Sequence, residues 1–197
     1  LCEPCPNSEC YDPPPVDEAA KRCAEIESAD GQTSLAIPRQ YHGAVFADFA
    51  GAQAELERFY ARSRPGLLTV LGACGVGKTR LAYALVRQSY ADGRACELHH
   101  APTLLEELAA TRGIGRAKEL GRRECLMILD DILGEDPPPH QVRLLSVILY
   151  RREQWGLPTM LTCNLSVDGI SALSERIASR VAGGLVLELG GEDRRLA

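Results

Sequence analysis

Between residues 72 and 79 the chain reads Gly72-Ala73-Cys74-Gly75-Val76-Gly77-Lys78-Thr79, glycines, a lysine and a hydroxyl at the spacing that wraps a row of phosphates. Glycines let backbone N–H groups curl around phosphate oxygens, and a helix starting there adds its positive end. Lys78 would reach the β- and γ-phosphates of ATP, and Thr79 would offer its hydroxyl to Mg²⁺. Only Lys21, Lys78 and Lys118 are lysines, so composition alone predicts about 0.002 octapeptides of this form. The set expected to contact nucleotide is Gly72, Gly75, Val76, Gly77, Lys78, Thr79 and Arg80.

Such a cradle needs acids on a neighbouring strand. Leu126-Met127-Ile128-Leu129-Asp130-Asp131 supplies them, with Asp130 lying 52 residues after Lys78. Asp130 would hold Mg²⁺, directly or through water, and Asp131 would polarise the attacking water. Without the glycine loop upstream, the same pair would read equally well as a cap before a turn.

Positioning these groups requires alternating strands and helices. Helices are predicted over 48–62, Lys78 to about Tyr90, Thr103–Thr111, 140–155 and Ala172–Val181. Strands are predicted over Leu67–Leu71, Ala95–Leu98, Cys125–Leu129, Thr159–Thr162 and Leu185–Leu189. Five strands interleaved with helices imply an α/β fold, a parallel sheet flanked by helices. His99 and His100 are adjacent, point to opposite faces of a strand and are assigned no function. Trp155 is assigned to packing.

A chain of 197 residues, 45% hydrophobic and 25% charged, suits one domain with a short appendage. No apolar run approaches a membrane span and no signal peptide opens the chain, so a cytoplasmic protein without a membrane partner is expected. The net charge of −5 argues against a globally basic nucleic-acid binder. That charge is uneven: residues 1–37 hold eight acids against two bases, and the remainder nineteen against twenty. The front also carries Cys2, Cys5, Cys10 and Cys23, and a proline run at Pro13–Pro15 sets it off. Cys2-x-x-Cys5 begins like a zinc half-site that Cys10 and Cys23 could complete around Zn²⁺. A second Cys-x-x-Cys is lacking, so a metal-free acidic tail and a disulfide-bonded segment are the alternatives.

Three stretches together resemble the AAA+ ATPases of the DnaC/IstB type, helicase loaders and transposition helpers. These are Ile37-Pro38-Arg39-Gln40-Tyr41 with Val45, Phe46 and Phe49; the two nucleotide motifs; and Leu161-Thr162-Cys163-Asn164-Leu165 followed by Ser174-Glu175-Arg176-Ile177-Ala178-Ser179-Arg180. The resemblance spans about 37–197 and implies an AAA+ core over those residues, without a C-terminal helical lid, preceded by the cysteine-rich segment 1–36. It implies that Asn164 positions water, and that Arg180 enters the neighbouring subunit's site as an arginine finger. Arg176 lies one helical turn away, and Arg195 matches an arginine that contacts nucleotide in cis. A zinc module at the front would grip a partner protein.

The resemblance also places an extra helix facing a central channel within Arg112–Glu124, where five bases oppose two acids. Those bases would follow a single-stranded DNA backbone, or else form an ordinary solvated face. The function so implied is an ATP-hydrolysing loader that self-assembles into an oligomer on single-stranded DNA and delivers a replicative helicase. A transposition helper acting on target DNA and a transposase is the alternative. A monomeric phosphoryl transferase would need an acceptor-binding insert for which no stretch has room. Two departures stand out: Ile132 and Leu133 separate the acidic pair from Gly134, implying a longer loop, and the fifth strand closes the domain.

Overall fold

The computed structural model describes residues 37–191 apart from 50, 62–65, 112 and 135. Cys2, Cys5, Cys10, Cys23, Arg112 and Arg195 therefore lie outside the described residues, as does the whole segment 1–36. Two 3₁₀ turns, Arg39–Tyr41 and Phe46–Phe49, lead into α1 (Gln53–Ala61) and β1 (Leu67–Leu71). Then follow α2 (Lys78–Ala91), β2 (Cys96–His100), α3 (Ala101–Ala110), α4 (Ile114–Leu120) and β3 (Leu126–Asp130). The rest is α5 (Pro139–Gln154), β4 (Thr159–Cys163), α6 (Val167–Leu173), α7 (Glu175–Gly183) and β5 (Leu185–Glu188).

The five strands form one parallel sheet in the order β2-β3-β4-β1-β5. Because side chains alternate along a strand, each strand feeds two cores. Leu68, Val70, Ile128 and Met160 pack under α1 and α2 with Leu56, Phe59, Leu81 and Leu85. Met127, Leu129, Leu161 and Cys163 pack on the other face with Leu105, Leu120, Leu145, Ile148 and Ile177. Every residue of β3 and β4 is buried, as expected of central strands covered on both sides.

Four expectations need correction. The helix predicted over Ala172–Val181 is two helices. Ser174 sits between them with extended backbone, φ −162°, and its side chain accepts the Ile177 N–H, starting α7 afresh. The helix predicted over 48–62 begins only at Gln53, after Gly51, and Asp48 is drawn away to Arg80. Strand β3 runs one residue later than predicted, so Asp130 is its last residue. Trp155 is not packed: it is 62% exposed.

The extra helix appears as α4. It buries Ala117 and Leu120, while Arg116, Lys118 and Arg122 remain exposed. Among the described residues no helix is long and apolar enough to cross a membrane, and no group of three or more His, Cys, Asp or Glu side chains is gathered to hold a metal ion.

Candidate functional site

Parallel pairing brings the carboxyl ends of β1, β3 and β4 to one edge. Leu71 pairs with Cys163 and Leu129 with Leu161, so Gly72, Asp130, Thr162 and Asn164 come together where the order of strands reverses. Gly72, Gly75 and Gly77 all have positive φ, 154°, 83° and 105°. A Cβ at Gly72 would lie 2.4 Å from the Leu189 carbonyl oxygen, so the loop can only turn there with glycine. Gly77 then hands over to the fourteen-residue α2, whose free N–H groups face the loop.

Lys78 is 7% exposed. Its ammonium donates to the Gly72 and Ala73 carbonyls, both at 2.8 Å. Burial lowers its pKa, while Cys74, Asp131 and Asp130 nearby favour the charged form. The Thr79 hydroxyl donates to Asp130, 3.0 Å from Oδ2 and 3.3 Å from Oδ1. A hydroxyl and a carboxylate converging beside a phosphate cradle are the hard oxygen donors that Mg²⁺ takes, so these residues fit both the ion and ATP. Asn164 Nδ2 donates to Asp131 Oδ1 at 2.7 Å, which puts the expected water-positioning amide on the expected water-polarising acid.

One residue of the cluster went unassigned in the sequence. Thr162, 1% exposed, donates its hydroxyl to Asp130 Oδ1 at 2.6 Å and accepts the Asp131 N–H at 2.8 Å. It thus fixes one acid by its side chain and the other by its backbone. Asp131 needs that clamp, because its φ is 61° and Leu133 follows at 54°, conformations that cost non-glycine residues free energy. The Cys163 thiol, its pKa raised by burial, donates to the Ile132 carbonyl at 3.3 Å and secures the same loop. The backbone after the acidic pair is therefore strained and held from β4. The signal for Thr162 was available, since it lies two positions before Asn164 and so on the same strand face.

Other expected residues stand apart from this cluster. The Arg80 guanidinium is engaged by Asp48, with Nε 2.9 Å and Nη2 2.8 Å from Oδ2, leaving its backbone amide as the group that could face nucleotide. Val76 is buried and likewise offers its backbone. Arg180 sits at the other end of the sheet. It lines a cavity of about 190 Å³ with Gly66, Leu67 and Thr159, where β1 and β4 begin. Five residues of strand separate that edge from Gly72, about 17 Å at 3.3 Å per residue. Arg176 is exposed and its carbonyl accepts Arg180 Nη1 at 2.7 Å. Within the basic segment, Arg123 is paired with Glu97.

No protein-family model and no curated protein matches the chain. Solved structures do. A crystal structure of DnaI superposes with a TM-score of 0.67 at 23% identity, covering 81% of this chain and 94% of that one. A crystal structure of the DnaC helicase loader gives 0.66 at 22% identity, over 78% of this chain and all (100%) of that one. Domain III of the replication initiation protein DnaA from Thermotoga maritima gives 0.65 at 19%, over 80% and 70%. The chain has the α/β AAA+ fold of these structures, five parallel strands between layers of helices.

Proposed function

We propose that this chain is an ATP-hydrolysing helicase loader that self-assembles on single-stranded DNA and delivers a replicative helicase during DNA replication. The observation that carries the reading is the division of the chemistry between opposite edges of one sheet. Phosphate cradle, acids and Asn164 lie together at the carboxyl edge, and Arg180 lies at the amino edge, beyond reach of its own cradle. An arginine so placed serves a nucleotide held by another copy, which makes hydrolysis a property of the assembly. The fold shared with DnaI and the DnaC helicase loader supports loading as the purpose of that assembly.

In this reading the amides of residues 72–79 bind the phosphates, and Lys78 exchanges its two carbonyl partners for phosphate oxygens. Thr79 and Asp130 would hold Mg²⁺, which neutralises phosphate charge when bound. Asn164 holds the attacking water against Asp131, whose carboxylate draws on its proton. Arg180 of the adjoining copy neutralises charge that builds on the γ-phosphate, a contribution of about 10³-fold or more in related chemistry. Arg116, Lys118 and Arg122 on and beyond α4 would follow a single-strand backbone, with affinity falling as salt rises.

The test is ATP hydrolysis across a protein-concentration series, with and without single-stranded DNA, for wild type and Arg180→Ala. Specific activity should climb steeply with concentration, rise further with DNA, and lose about 10³-fold in the variant. Activity flat in concentration and indifferent to Arg180 would sink the assembly reading and point to a self-contained enzyme.

A further inference from the structure

Arg180 is not idle in the single chain. Its Nε lies 2.9 Å from Glu153 Oε2 on α5, close but poorly aligned for a hydrogen bond. Its Nη1 donates to the Arg176 carbonyl at 2.7 Å, and its Cζ stands 5.6 Å from the Tyr150 ring centroid. The Arg180 side chain is 20% exposed and that of Glu153 61%. One carboxylate at the surface therefore keeps the guanidinium folded onto its own subunit, beside Tyr150, which is 45% exposed. Arg152, one position from Glu153, is instead held by four hydrogen bonds in the interior. Helix α5 thus carries a fixed arginine and, beside it, the acid that restrains a movable one.

We propose that Glu153 is a latch on Arg180, and that the surface formed by Tyr150, Glu153 and Arg180 opens onto the triphosphate held by a second copy of this chain. The inference rests on the reading of Arg180 as a group acting in trans. Two anions compete for one guanidinium. Glu153 offers a single charge in contact with water, where such a pair is weak. A γ-phosphate at an interface offers more charge and more acceptor oxygens in a drier setting. Bound ATP therefore draws Arg180 off Glu153, and ADP, which lacks the γ-phosphate, leaves it latched. The acid sharpens the dependence of assembly on the nucleotide's third phosphate and lets subunits part after hydrolysis.

The measurement is self-association of the full chain by sedimentation, with β,γ-methylene ATP and separately with ADP. Four proteins are compared: wild type, Glu153→Gln, Arg180→Ala and the double variant. Glu153→Gln should tighten association with the ATP analogue by roughly two- to five-fold, the range of an exposed ion pair, and leave association with ADP unchanged. The double variant should show no gain over Arg180→Ala, because the latch has nothing left to hold. Thermal melting checks that each variant is folded. Equal tightening with both nucleotides would make Glu153 a general repulsive charge and overturn the latch, as would no change with either. If Arg180→Ala weakens association and Glu153→Gln does nothing, only the latch falls. If Arg180→Ala associates like wild type, the trans reading falls and takes the latch with it.

Discussion

The two edges of the sheet carry similar residue types to different ends. At the carboxyl edge each charged group is already held by neutral neighbours: Lys78 on two loop carbonyls, Asp130 between Thr79 and Thr162, Asp131 on Asn164. At the amino edge two arginines diverge. Arg152, 1% exposed, gives its guanidinium to Thr159 and to the carbonyls of Arg123, Cys125 and Pro158. Burial pushes it down to about 10, with the acidic groups Cys125 and Glu97 pulling the other way. It ties the entries of β3 and β4 and is spent on structure. Arg180, with one exposed carboxylate and one helix carbonyl, is held loosely enough to leave. In the function proposed above, preorganisation belongs to the edge that binds nucleotide, and reversibility to the edge that meets a second copy.

The sharpest break of that contrast is at Lys78. Lys78→Ala removes the buried ammonium proposed to pair with the phosphates and should weaken ATP binding about 30-fold or more, measured with a fluorescent analogue on dilute, unassembled protein. Arg180→Ala should bind that analogue as wild type does and lose association and turnover instead. Were both variants to lose affinity alike, the two edges would not be doing separate jobs and the division of labour would be wrong.

Thr162 probes the same edge more gently. Thr162→Val keeps the shape and leaves Asp130 Oδ1 and the Asp131 N–H short of a partner in a buried place, at a cost of about 1–3 kcal/mol. The Mg²⁺ concentration that half-saturates nucleotide binding should rise several-fold, and Thr162→Ser should restore it. A stability loss with an unchanged Mg²⁺ requirement would reduce Thr162 to a strand-packing residue and leave the acids self-positioned.

How much of this could be read beforehand follows the range of the forces involved. The glycine loop, Lys78, Thr79 and the strand ending in Asp130 declare themselves locally, through backbone freedom and an unbroken apolar run, and so they were legible. The break at Ser174 was not, because a serine inside a helical pattern reads as tolerable until its hydroxyl is seen capping Ile177. Arg152 carries no local mark of its role, since its acceptors come from two separate segments, 123–125 and 158–159, that only the fold assembles. Trp155 was misjudged for a related reason: its size suggests burial, but its place at the end of α5 turns it outward. The strained Asp131 and Leu133 carry no sequence mark beyond the missing glycine, because the hydrogen bonds that hold their loop come from β4.

The smallest expected effect lies at the amino edge, in Glu97 near the start of β2, which pairs with Arg123 and His99. Burial alone would raise the Glu97 carboxyl, yet hydrogen bonds from Arg123 and His99, with their charges, hold it below its ordinary 4.5. A depressed acid stabilises the fold above its unfolded pKa and loses that contribution as pH falls through the folded value. Glu97→Gln should therefore cost under about 1 kcal/mol at neutral pH, since Arg123 is half exposed. The gap from wild type should shrink below pH 4.5 and vanish once both proteins carry a neutral side chain there. Urea unfolding at pH 7 and at pH 3 reads the difference. A penalty that persists unchanged in acid would mean that Glu97 acts through packing rather than charge. Then the Arg180–Glu153 pair would differ from Glu97 in depending on charge, and the contrast with the carboxyl edge would grow sharper.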